Sequence, residues 1–185
     1  KRVAEALGVS PGLVSHYFAT ADELVAAAFA HAAAGERAEV FGAAEQAGAP
    51  RQQLRALLGA WLDQDRDPVS LLWLDAWQAS RRRPALLADV VRQMNADAER
   101  LAAVIEAGVA AGDFQADDPR AASTQILSLV DGLSVQAAVR AALDYAAVRA
   151  MVISTAEHLL GLPPGTLALA GPGSPGRRRA RAAAR

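Results

Sequence analysis

The residues able to do chemistry fall into groups that imply different partners. His16, His31 and His158 are the three histidines, and they lie in separate stretches with no i, i+4 partner of ligand type. The chain has no cysteine, which removes thiolate metal sites and any disulfide framework. No glycine-rich phosphate loop follows a strand, and no serine sits in a nucleophile elbow. Asp63, Asp65 and Asp67 open like a calcium loop, but Pro68 stands where the loop needs glycine and Leu74 where it needs glutamate. That segment reads as a solvated loop, with Asp67 capping a helix from Pro68. The pattern argues against an enzyme, and calls for no metal or cofactor.

Binding chemistry is more concentrated. Trp61, Trp73 and Trp77 are the three tryptophans, and with Phe29, Val91 and Met94 they come from successive helical stretches that should face one another. Aromatic-lined cavities between bundle helices are common small-molecule sites, and stacked tryptophans suit a cation. These six residues are the candidate effector site. Arg81, Arg82 and Arg83 close a helix, where cations favour the negative end of the dipole.

A second constellation lies near the start, in VAEALGVSPGLVSHYFATADEL from Val3 to Leu24. Val3, Ala4 and Leu7 keep helical spacing, and Gly8 can end that helix with positive φ. Ser10 is a good N-cap and Pro11 suits the first helical position. Leu13, Val14, Tyr17 and Phe18 hold the 3.6-residue period, leaving Pro11, Gly12, Ser15 and His16 toward solvent. Thr20 and Glu23 fit a capping box that opens the next helix. Two short helices about a glycine turn are the helix-turn-helix outline, whose second helix enters the DNA major groove.

At Ala4, Gly8-Val9-Ser10, Gly12, Tyr17-Phe18 and Asp22-Glu23-Leu24 the chain resembles the TetR family of transcriptional regulators. Ser15-His16-Tyr17-Phe18 is most similar to the family's betaine-pathway repressor branch. The resemblance implies that Ser10, Pro11, Gly12, Leu13, Ser15 and His16 face base edges or backbone, and that Tyr17 and Thr20 meet phosphates. Two departures stand out: Ala21 replaces a usual lysine phosphate contact, and Ser15 stands where an aromatic is frequent. Family heads have three helices, so a helix before Lys1 is expected to cover Val3, Leu7 and Leu13.

The elements that must position these groups are helical. Alanines are abundant, aromatics make up 5% of the chain and hydrophobic residues 52%, which favours helix and supplies a core. No window of 18 uncharged apolar residues suggests a membrane span, and a cytoplasmic location is expected. Periodicity predicts helices over 21–47, 50–64, 68–82, 84–111, 119–143 and 145–160. The first has Leu24, Val25, Ala28, Phe29 and Ala32 on one side, and the fourth turns Leu86, Leu87, Val90, Val91 and Met94 inward. The expected architecture is all-α: a DNA-binding head over 1–27, an effector-binding and dimerisation body over 28–162, and a flexible basic tail over 163–185.

Five of the 19 basic residues lie in the last nine positions, leaving 14 against 20 acidic elsewhere. Bulk charge therefore does not drive nucleic-acid binding, and two heads acting together are expected. The last two helices are apolar on more than one face, so pairing with their copies as a four-helix bundle is expected. Ile126, Val130, Leu133, Val148, Val152 and Leu159 are the candidate interface. The reading is a homodimeric, ligand-responsive regulator of a double-stranded DNA operator, acting as a repressor. The alternative is a helical interaction module that has lost specific DNA binding.

Overall fold

The computed structural model describes residues 2–139 and 144–169, and the described residues are all-helical apart from turns. Two short helices, α1 (Arg2–Leu7) and α2 (Pro11–Tyr17), form the head. They are followed by α3 (Ala21–Glu45), α4 (Pro50–Trp61), a single 3-10 turn (Gln64–Arg66), α5 (Asp67–Ser80), α6 (Pro84–Ala110), α7 (Pro119–Ala137) and α8 (Tyr145–Leu159). Local chemistry sets the boundaries. Gly8, Gly48 and Gly112 take φ of 66°, 91° and 74° beyond α1, α3 and α6. Asp118 caps α7 by accepting from the Ala121 amide at 2.9 Å. Asp67 does not cap α5 but begins it, and Asp63 instead caps the 3-10 turn by accepting from the Asp65 amide.

The body has two cores. Phe41 of α3 packs with Leu54, Leu57, Leu58 and Trp61 of α4 and with the inward faces of α6, α7 and α8. Nearer the head, Ala26, Phe29 and Ala33 of α3 pack with Trp73 and Ala76 of α5 and with Leu86 and Val90 of α6. The helix α3 therefore runs from the head through both cores. Its buried face is Ala26, Phe29, Ala33, Phe41 and Ala44, so Val25, Ala28 and Ala32 point outward, against expectation. Leu87, Val91 and Met94 likewise stand exposed, because the core side of α6 is Leu86, Val90, Gln93 and Leu101.

The expected tail begins too early. Leu167 is fully buried in the larger core, and Glu157 of α8 holds its turn by accepting from the Gly165 and Leu167 amides at 3.0 and 2.7 Å. Residues 163–169 are thus a docked turn. The remainder of the tail, 170–185, lies outside the described residues, as do the last four positions, 140–143, of the expected 119–143 helix.

Gly108 packs tightly against the ring of Phe114. A methyl group there would lie 2.1 Å from the buried Phe114 ring, which folds back over the end of α6. The substitution Gly108→Ala should cost roughly 1–3 kcal/mol through overpacking, read as a lower thermal midpoint with the helical content retained. An unchanged midpoint would show that the ring moves aside freely.

Candidate functional site

In the head, every residue expected to meet DNA is exposed, and all lie on α2 and its flanking turns. Ser10 caps α2 by accepting from the Leu13 amide at 3.2 Å, and Pro11 occupies its first turn. The Ser15 hydroxyl donates to the Pro11 carbonyl at 3.2 Å, a back-bond that leaves its oxygen outward. His16 and Tyr17 meet edge to face at 5.3 Å, and Tyr17 is 72% exposed. Leu13 is exposed as well. Thr20 accepts from the Glu23 amide at 3.1 Å while Glu23 accepts from the Ala19 amide at 2.9 Å. These two side-chain caps, on the Glu23 and Ala19 amides, fix where α2 ends and α3 begins. Ser10, Pro11, Gly12, Leu13, Ser15, His16, Tyr17 and Thr20 are thus all exposed, on α2 and the turns flanking it.

The body holds a cavity of about 160 Å³ at the seam between its two cores. Trp61 of α4 and Trp73 of α5 wall it from opposite cores, and Met94 lies at its rim. Phe29, Trp77 and Val91 do not line it. Phe29 is buried behind Trp73 in an edge-to-face contact at 5.0 Å, Trp77 packs on the same indole at 5.7 Å, and Val91 faces outward. The cavity has polar residues that the sequence reading missed: Arg66, Asn95, Asp97, Thr124, Ser128 and Asp131. The hydroxyl of Ser123 donates to the Ala98 carbonyl at 2.7 Å and fixes α7 on α6 beside these groups.

The charges around the cavity are tied to α3. Arg37 of α3 pairs with Asp97 at 3.1 Å and also donates to the Gln93 carbonyl and side chain. Arg66 pairs with Glu36 of α3 and donates to Ser70, and Glu36 also accepts from the Trp73 indole at 3.4 Å. Burial pushes the Asp97 carboxyl up to about 6, with Arg37 acting against the rise. Burial likewise pushes Asp131 up to about 6, opposed by Arg66 and assisted by Asp97. Three carboxylates, Glu36, Asp97 and Asp131, face two guanidiniums, so the ionised cluster carries one excess negative charge. No group of three or more His, Cys, Asp or Glu among the described residues is arranged to hold a metal.

The expected interface needs correction. Ile126 and Val152 are 0% exposed within the single chain, and Val130 and Leu133 are also buried. Side chains already inside one chain's core cannot meet a second copy. Val148 and Leu159 are half-buried against the same core. The outward apolar residues of this region are Val135, Val139 and Met151, at 54%, 55% and 46% exposed.

This helical plan has relatives. Residues 50–161 match the family described as BetI-type transcriptional repressor, C-terminal. The HTH-type transcriptional regulator BetI of Paraburkholderia phymatum is 32% identical over 147 residues, spanning 74% of this chain and 68% of that protein. The chain belongs to the TetR family of transcriptional regulators, in its BetI-type branch. BetI of Pseudomonas aeruginosa is similar at 31% identity over 140 residues, again 74% of this chain and 68% of that one. Among solved structures, a TetR transcription regulator from Haloarcula marismortui superposes with a TM-score of 0.71 at 22% identity, over 86% of this chain and 85% of that chain. A chain described as a TetR-family regulator from Rhodococcus sp. does so at 0.74 and 23%, with the same coverage. The TetR-family fold, a helix-turn-helix head on a helical body, accounts for the continuous α3, and these relatives are regulators rather than enzymes. No helix among the described residues is long and apolar enough to cross a membrane.

The cavity charges give this TetR-family chain a testable pH dependence. The folded chain keeps a proton on Asp131 to higher pH than the unfolded chain does, so the stability it contributes is full below about 3.8 and lost as pH rises through about 6. Asp131→Asn should therefore stabilise the protein at pH 7.5 by an amount on the order of 1 kcal/mol, with the gain vanishing near pH 3.5. Thermal melts across that range check it, and a variant less stable at pH 7.5 would contradict it.

Proposed function

We propose that the chain is a homodimeric, ligand-responsive repressor that binds a palindromic operator and is released by a small organic cation. The observation that carries this reading is the pairing of cavity residues with the helix that bears the head. Arg66 and Asp97 line the cavity, and their partners Glu36 and Arg37 belong to α3, whose first turn is built on the Thr20 cap. A cation between Trp61 and Trp73 would answer the excess negative charge and draw on Asp97 and Asp131. It would thereby compete with Arg37 for Asp97 and favour another tilt of α3.

Residues 1–27 act as the DNA-binding unit and 28–169 as the effector and dimerisation unit, with the division falling inside a continuous helix. The surface that pairs two copies is the outward side of α7, the turn after it and α8, where Val135, Val139 and Met151 stand among exposed Gly132, Ala147, Ala150 and Ser154. Small residues allow helices to approach closely, as a four-helix bundle needs. Each α2 would then enter successive major grooves about 34–36 Å apart, and an effector that prefers a different head spacing weakens binding by its differential affinity. A cytoplasmic location follows from such a role.

The test is to select duplexes from a random pool with the full-length protein and to measure their affinity by fluorescence anisotropy. His16→Ala should weaken selected DNA by about 1–3 kcal/mol while leaving shuffled DNA and the dimer unchanged. Equal affinity of wild type and variant for selected and shuffled DNA would overturn the regulator reading in favour of an interaction module.

A further inference from the structure

Residues 1–24 carry little positive charge for holding DNA. Residues 1–24 have two basic side chains, Lys1 and Arg2, against Glu5, Asp22 and Glu23. The first turn of α3 is the acidic part, since Asp22 and Glu23 follow directly on Thr20 and Ala21. A duplex carries a charge about every 1.7 Å along its axis, so an acidic turn beside a phosphate contact is repelled unless it is neutralised.

The body places a basic turn there. Arg81, Arg82 and Arg83 join α5 to α6, and the Arg83 guanidinium lies 3.2 Å from the Asp22 carboxylate. This position does not depend on one surface ion pair. Ala26 and Phe29, one and two turns along α3, are buried against Trp73, Ala76 and Leu86 on the helices flanking the basic turn. Arg83 bonds back through its amide to the Ser80 carbonyl at 3.1 Å, so the turn itself is fixed. Arg81 and Arg82 are exposed and pair with no carboxylate among the described residues.

We propose that the Arg81–Arg83 turn is a second contact to the DNA backbone, supplied by the body. Arg83 cancels Asp22 beside Thr20, and Arg81 and Arg82 offer the guanidiniums that the first turn of α3 lacks. The partner is double-stranded DNA, recognised through its phosphates and not its bases, so the turn adds affinity without sequence preference. The inference rests on the DNA-binding reading above, and goes beyond it by assigning contacts outside the helix-turn-helix.

The test follows affinity against salt for the wild type, Arg81→Gln/Arg82→Gln and His16→Ala, on selected duplex and on generic duplex at low salt. Each lost phosphate contact should lower the slope of log affinity against log salt by about 0.9, and the double variant should bind roughly tenfold more weakly to both DNAs at low salt. His16→Ala should instead lose the preference for selected DNA and keep its slope on generic duplex. Arg83→Gln should weaken binding too, and adding Asp22→Asn should restore part of the loss, which a purely structural latch would not do. An unchanged slope and affinity in the double variant would overturn the proposal. Absence of any selected sequence, with the double variant still weaker on generic duplex, would sink the operator reading and leave the basic turn standing.

Discussion

One helix, α3, is held to the body by charge as well as by packing, and the rest of the molecule is arranged about that constraint. Its apolar face is mostly alanine, with Phe29 and Phe41 as the large anchors. Alanine contacts are small, so rotation and sliding of such a helix are weakly opposed by packing alone. The pairs from Arg37 to Asp97 and from Glu36 to Arg66 lie between those anchors and set the register of the helix. Both pairs are largely buried, where removing one partner costs far more than the pair contributes at a surface. One member of each pair, Arg66 and Asp97, lines the cavity, so whatever fills it acts on the clamp.

The clamp also explains why the cavity is charged. Two cores meet imperfectly between Trp61 and Trp73, and the space between them has polar residues from α6 and α7. Asp131 has no guanidinium as close as the one Asp97 has in Arg37, and burial holds both carboxyls far above their ordinary range. Such groups cost stability at neutral pH. Their presence in a cavity is the pattern expected of a binding site rather than a structural core.

Local features were the most legible in the sequence. Ser10 and the Thr20 and Glu23 pair cap the helices as their spacing predicts, because capping involves only neighbours in sequence. The family resemblance at residues 4–24 carried the fold. Which face of each helix turns inward was less legible, since α7 and α8 are apolar on two sides and periodicity alone cannot rank them. Ile126 and Val152 went to the chain's own core, and Val135 and Met151 to the outside. Phe29 and Trp77 were correctly grouped with Trp73 but stand behind the indole instead of beside the cavity. The missed carboxylate left a signal: Gln93 and Asp97 continue the stripe of Leu86 and Val90 toward Leu101, and a polar residue on a buried stripe has a partner across the interface. Leu167 was hidden by its proline and glycine neighbours, although Glu157 interrupts the core stripe of α8 in the same telling way.

The central claim is that the cavity and the head are coupled through the charged clamp on α3. The most direct measurement is the affinity of Asp97→Asn for DNA selected by the wild-type protein, taken with the variant shown to be folded by its thermal melt. Asp97 lies far along the body from α2, so a change must travel through Arg37 and α3. Coupling energies between sites are typically about 1–3 kcal/mol, and the account predicts a loss of specific affinity of at least fivefold with generic DNA unaffected. Specific affinity equal to the wild type in a folded Asp97→Asn protein would contradict it.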